Sequence, residues 1–178
     1  MADIYLIAAH TSFSPGCVGQ GRTEHSDCLR FVKFLACILR RESSHNVRIL
    51  TGNVRSIPER DAYVLVFHRS SNMKNESSSG AKVFVSPEAD CSLQYDAYRL
   101  LDGICRKDLF RYKGVHNSGI LSKEAEGSSC RNTYVLTLGF FESAYDNKLL
   151  DERIWDTAKG LSDSLTEIIK ERENDNNT

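Results

Sequence analysis

The chain has 178 residues and a formal net charge of −1 at pH 7. That length suits one domain with a sizeable core, and interleaved basic and acidic residues, as in the KERE run at 170–173, exclude a nucleic-acid-binding face. No apolar run approaches the ~18 residues of a membrane span, and Asp3 stands where a secretory signal would be basic. We therefore expect a protein that is cytoplasmic as synthesised and leaves the cytoplasm only if another route exports it.

The first half of the chain predicts buried strands and one helix. An apolar run that does not alternate with polar residues is typical of a strand buried on both faces of a parallel sheet. Apolar residues at helical spacing predict an amphipathic helix. In chain order, the predicted elements are a strand (Ile4–Ala9), a helix (from near Thr23 or Ser26 to near Arg41) and two more strands (Asn46–Thr51 and Tyr63–Phe67).

The second half continues the alternation of strands and helices. Its predicted elements are a short strand at an edge (Lys82–Ser86), a helix (about Ser92 to Lys107), two strands (Gly114–Leu121 and Thr133–Leu138) and a last helix (Ile154–Ile168). Such alternation predicts an α/β domain over residues 1–172, with a mostly parallel twisted sheet of about five to six strands and helices on both faces. The polar tail at 173–178 is expected to fray.

Two of the predicted strands end on a histidine. His10 follows the first apolar run, His68 follows the run YVLVF, and Glu24 precedes the first helix. Because functional groups collect at the carboxyl ends of strands in an open α/β sheet, these side chains are expected to lie together. Two histidines and one glutamate are a common ligand set of catalytic zinc. Taken singly, each has an ordinary alternative: a hydrogen-bonded histidine, or a carboxylate favoured by the helix dipole.

The order of these residues resembles the zinc-dependent N-acetylmuramoyl-L-alanine amidases, the type 3 amidases of bacterial cell-wall hydrolases and phage endolysins. The matching phrases are IAAHTS with His10, GRTEHS with Glu24, VFHRSSN with His68, YKGVHNSGIL at 112–121, and LGFFESAYDNKLL from Leu138. They extend over nearly the whole chain. The resemblance implies zinc held by the two histidines and Glu24, and hydrolysis of the amide between N-acetylmuramic acid and L-alanine of peptidoglycan.

The chain departs from this family at the catalytic acid/base. The family places a glutamate two residues before the glycine of its G-F pair, and Thr137 occupies that position here. A hydroxyl cannot act as a base near neutral pH, and losing a general acid/base typically costs about 10²- to 10⁴-fold in rate. Glu142, just past the strand, is the expected substitute, with Glu124 and Glu126 as alternatives.

Asn72 and His116 are the expected substrate-binding residues. Ser70 stands where the family's second histidine phrase has an asparagine, with Asn72 displaced from it, and His116 is placed to enter a substrate groove. Two functions stay open: an active zinc amidase acting on peptidoglycan or a muropeptide, or a degenerate amidase fold that binds metal or muropeptide without efficient cleavage. A flavodoxin-like domain without metal is a third, but the chain has no phosphate-binding glycine loop.

Overall fold

A computed structural model describes residues 1–52, 57–71, 78–106, 109–118 and 130–175. Eight strands and four helices form along these residues. The strands are β1 (Asp3–Ala8), β2 (Val18–Gly19), β3 (Arg22–Thr23), β4 (Asn46–Thr51), β5 (Tyr63–Ser70), β6 (Ala81–Val85), β7 (Tyr112–Asn117) and β8 (Asn132–Phe140). The helices are α1 (Glu24–Glu42), α2 (Cys91–Cys105), α3 (Ala144–Glu152) and α4 (Ile154–Asp175).

Six of the strands form one sheet in the order β4-β1-β5-β8-β6-β7, and β2 and β3 form a separate hairpin. Neighbouring strands of the sheet are parallel except for β6 and β8, which are antiparallel. The prediction that the strand near Lys82 lies at an edge is wrong, because β6 is paired on both sides. Its alternating residues Ala81, Val83 and Val85 are accordingly buried.

The three long helices pack on one face of the sheet. Phe31 of α1 contacts Phe67 of β5, with ring centroids 5.3 Å apart, and the hydroxyl of Tyr134 on β8 lies 3.4 Å from Asp96 of α2. Phe67 and Tyr134 point to the same face because their strands pair in register, and α4 packs against both α1 and α2. The single α/β domain and the mostly parallel sheet are confirmed. The sequence pattern suggested helices on both faces of the sheet, whereas these three helices lie together on one face.

Four segments differ from the sequence prediction. The hairpin β2–β3 and helix α3 were not predicted, since the hairpin is only four residues around a turn and α3 is largely polar. Helix α4 continues through Glu173 to Asp175, beyond the point where the polar tail was expected to begin. Strand β7 starts two residues early, at Tyr112, and the predicted strand end at Leu121 lies outside the described residues. None of the described helices is both long and apolar enough to span a bilayer.

Candidate metal centre

His10 lies two residues beyond the end of β1, on backbone of the left-handed region. The amide of Ala9 still donates to the carbonyl of Phe67 on β5 (3.0 Å), which holds the chain against the sheet up to that point. His10 then has a φ of 65°, a conformation that costs a non-glycine residue about 1 kcal/mol or more. Buried His25 supports the same turn, because its Nδ1 lies 3.0 Å from the carbonyl oxygen of Ala9 and donates to it. Sequence analysis did not assign His25 this role.

Glu24 is positioned by a capped helix start. Thr23 is the N-cap of α1 and accepts a hydrogen bond from the amide of Ser26, whose side chain bonds back to the backbone of Thr23. The amide of Glu24 donates to the carbonyl of Cys17 (2.9 Å), so the loop after β1 is tied to the first turn of the helix. The Glu24 side chain is 4% exposed and faces the strand ends.

The three predicted ligands lie together. Glu24 Oε1 is 2.9 Å from His68 Nδ1, and Glu24 Oε2 is 3.2 Å from His10 Nε2. The two imidazole rings are edge-on, with centroids 5.2 Å apart. One ligand atom from each residue lies within 4.8 Å of the others, and in the described ranges this is the one such group of three histidine, cysteine or acidic residues.

The carboxylate of Glu24 is held in its ionised form. Burial raises its pKa, but this is outweighed by the hydrogen bonds from His68 and from the backbone amides of Arg69 (3.0 Å) and Cys17 (3.2 Å) and by the charge of His10. Together they lower the pKa to about 2. At neutral pH the group therefore has the charge that a metal ligand needs.

The loop at Gly16 closes over two of these side chains. Gly16 has a φ of +73°, and a Cβ at this position would lie 2.5 Å from Glu24 Oε2 and 2.7 Å from His10 Nε2. Glycine is required here for its conformation and for its lack of a side chain. Two imidazoles and one ionised carboxylate in this arrangement match the ligand set of a catalytic zinc site, so the residues fit a zinc ion.

Arg69 connects the candidate centre to the rest of the domain. The pairing of β5 with β8 shifts register between His68 and Ser70, and the guanidinium of Arg69 is completely buried behind this bulge. It donates to Asp27 of α1 (2.6 Å), to the carbonyl of Phe140 (2.7 Å) and to Asn147 of α3 (2.8 Å). The bonds join β5, α1, β8 and α3. Sequence reasoning missed Arg69. The only feature of the sequence that could have indicated its role is that it directly follows His68.

Thr137 lies next to His68 on the neighbouring strand. The two residues pair directly across β5 and β8, and Thr137 pairs on its other side with Lys82 of β6. Thr137 is 4% exposed, and its hydroxyl accepts a hydrogen bond from the amide of Lys82 (3.2 Å). The position that the family resemblance assigns to a glutamate is thus beside a candidate metal ligand.

Glu142 lies on the turn that follows β8 and accepts a hydrogen bond from the hydroxyl of Ser71, just past β5. Burial raises the pKa of the Cys17 thiol, with further contributions from the charges of Glu24 and, more weakly, Glu142. Cys17 is therefore close to both acids, on the loop that bonds Glu24. Glu142 lies at the rim of the candidate centre.

The remaining candidates are three residues outside the described ranges and His116. Asn72, Glu124 and Glu126 lie outside the described residues. His116 is exposed on the edge strand β7, where its Nε2 is 3.0 Å from the carbonyl of Lys113 and its ring contacts Phe84 with centroids 5.6 Å apart. It does not belong to the candidate ligand group.

Comparison of the structure with solved structures identifies the fold. An N-acetylmuramoyl-L-alanine amidase from Clostridium difficile 630 superposes with a TM-score of 0.80 at 14% identity, over 95% of this chain and 97% of that one. The amidase AmiC2 of Nostoc punctiforme gives 0.77 at 16% identity, over 95% and 97%. The catalytic domain of an endolysin targeting Clostridia difficile gives 0.73 at 14% identity, over 94% and 98%.

The comparisons of sequence gave no match, although the comparison of structures gave clear ones. No family model matches the chain, and no curated protein matches it. The chain has the fold of N-acetylmuramoyl-L-alanine amidases along nearly its whole length, as the resemblance predicted. At these identities the likeness establishes the fold.

Proposed function

We propose that this protein is a zinc-dependent amidase that hydrolyses the bond between N-acetylmuramic acid and the L-alanine of peptidoglycan. The observation that carries the proposal is the convergence of His10, Glu24 and His68 at the strand ends of this fold. The structural neighbours are amidases by name, which supports the same reaction class.

In the proposed reaction, His10, Glu24 and His68 would hold a zinc ion. A bound zinc ion polarises a carbonyl and lowers the pKa of water, so that a nucleophile is available near neutral pH. Glu142 accepts a proton from the attacking water and passes it to the departing nitrogen. A C–O bond forms, the amide C–N bond breaks, and the products are the lactyl carboxylate and the free amino group of L-alanine.

Two features support Glu142 in the proton-transfer role. Its carboxylate is oriented by the hydroxyl of Ser71, which follows the strand of His68, and it lies close to Cys17, whose amide bonds Glu24. Thr137, by contrast, has no acidic proton to exchange, and its hydroxyl is hydrogen-bonded to the backbone amide and carbonyl of Lys82.

A second function rests on that same threonine. Because Thr137 occupies the position of the family's glutamate, the chain could instead hold the metal or bind muropeptide without efficient cleavage. Such a protein would keep the three ligands and lose turnover.

One experiment separates the two functions. Zinc per chain is measured by elemental analysis, and new L-alanine amino termini released from purified peptidoglycan are counted with and without chelator. One zinc per chain with chelator-sensitive release is expected for the amidase. One zinc without release would leave only the binding function, and no zinc would refute the zinc amidase and the metal-binding form of the second function.

A further inference from the structure

Lys82 is a half-buried cation beside the candidate centre. Its Nζ lies 5.3 Å from the ring centroid of Phe84 and 5.4 Å from that of Phe140, and it forms no ion pair with any described residue. Lysines are rarely buried unless they are paired. Burial, with the nearby charge of Lys113, lowers the pKa of this ammonium group, so the protein itself disfavours its charge.

The position of Lys82 relates it to the metal ligands. His68 pairs with Thr137, and Thr137 pairs with Lys82, so the three side chains lie side by side on one face of the sheet. At about 4.8 Å between neighbouring strands, the α-carbons of Lys82 and His68 are about 10 Å apart. Lys113 adds a second positive charge near Lys82.

We propose that Lys82 binds a carboxylate of the peptide portion of the substrate, an assignment that rests on the proposed amidase function. A cation with two aromatic contacts and no counter-ion is a ready partner for an anion, through a charge-assisted hydrogen bond. In the amide-linked substrate the lactyl carboxyl group is consumed in the scissile bond. The muramoyl side of that bond is therefore neutral, and the free carboxylates close to it belong to the peptide.

This assignment orients the substrate. The peptide runs from the candidate metal centre across β8 towards Lys82 on β6, and the sugar lies on the opposite side, towards the loop that carries Gly16. The orientation makes Lys82 a specificity residue, which distinguishes peptides whose carboxylates are free from peptides whose carboxylates are amidated.

The test measures binding of the product peptide, so it does not depend on turnover. A stem peptide that begins with L-alanine is prepared with its carboxylates free and with all of them as primary amides. Each form is titrated into the zinc-loaded protein at about 0.15 M salt, where surface charges are largely screened. The variants are Lys82→Met and Lys82→Gln, which remove the charge, Lys82→Arg, which keeps it, and the control Lys33→Met on the exposed face of α1.

The wild-type protein and Lys33→Met are expected to bind the free-carboxylate peptide about 10-fold more tightly than the amidated peptide. This is the change in affinity expected from one hydrogen bond between charged groups. Lys82→Met and Lys82→Gln should bind both forms equally, and Lys82→Arg should retain part of the preference. Equal binding by the wild type, or a preference that survives in a folded Lys82→Met or Lys82→Gln, overturns the assignment. A preference without any cleavage of muropeptide would refute the amidase function alone.

Discussion

Thr137 and His68 are directly paired neighbours on the parallel strands β8 and β5. Their side chains leave the sheet on the same face, because paired residues of adjacent strands share an orientation. The position that carries a glutamate in the resembling family is thus beside a candidate zinc ligand in this protein. A carboxylate there would be within reach of the same reaction centre.

Replacing Thr137 with Glu is therefore expected to raise the rate of amide hydrolysis. The added carboxylate supplies a second general acid/base beside His68, and because Glu142 already transfers a proton, the gain should be smaller than the about 10²- to 10⁴-fold that a first acid/base supplies. Release of L-alanine amino termini from peptidoglycan measures the gain, and Thr137→Gln, of similar size, should show none. A folded Thr137→Glu protein with wild-type rates would mean that proton transfer does not limit this reaction.

Removing either histidine should remove the metal. His10→Ala and His68→Ala each delete one of three ligands. Losing a residue that only hydrogen-bonds a metal ligand lowers metal affinity by about 10- to 100-fold, and we expect these two variants to lose more zinc affinity than that. Zinc titration with a competing chelator measures the change. The control His116→Ala, on the edge strand β7, should bind zinc as the wild type does. Unchanged zinc content in both ligand variants would refute the site.

Glu142→Gln should lower the rate without removing zinc. The amide keeps the size of the side chain and a hydrogen bond to Ser71 but cannot take a proton, so we expect a loss of about 10²- to 10⁴-fold in kcat. Glu88→Gln, on an exposed turn, is the matched control. If Glu142→Gln hydrolyses substrate at the wild-type rate, proton transfer belongs to another group.

Two glycines of the same loop provide a matched pair. Gly16 and Gly21 both have positive φ, +73° and +72°, but a Cβ at Gly21 meets nothing within 4 Å, whereas one at Gly16 collides with Glu24 and His10. Each change to alanine should cost about 1 kcal/mol of stability through the backbone. Only Gly16→Ala should also weaken zinc binding. Chemical denaturation and zinc titration of both variants test this, and equal zinc affinities would contradict the close approach.

Glu24 makes the metal-free protein sensitive to acid. Its folded-state pKa of about 2 lies below the ordinary value of 4.5, so the stability it contributes is fully present above pH 4.5 and is lost as the pH falls through 2. The shift corresponds to about 3 kcal/mol. Denaturation of metal-free wild type and Glu24→Gln should therefore differ at pH 6 and converge towards pH 2. A difference that is constant over this range would show that ionisation of Glu24 does not stabilise the fold.

Local pattern was sufficient for much of the fold. Sequence patterns predicted all six strands of the sheet and the three long helices, because burial imposes apolar runs and periodic spacings that are visible in the chain itself. The same runs placed His10 and His68 at strand ends. Helix α3 and the hairpin β2–β3 were missed because both are short and mostly polar.

By itself the sequence determined the α/β class, the strand ends and the three residues to examine as ligands, since all of these follow from neighbours along the chain. Only the tertiary structure decided how Gly16 approaches Glu24, how Arg69 reaches Asp27 and that β6 pairs with β8 inside the sheet. Strand register and the closure of loops over distant residues set these contacts. Their partners are separated by up to 55 residues, as Lys82 and Thr137 are, and no local period encodes such a pairing.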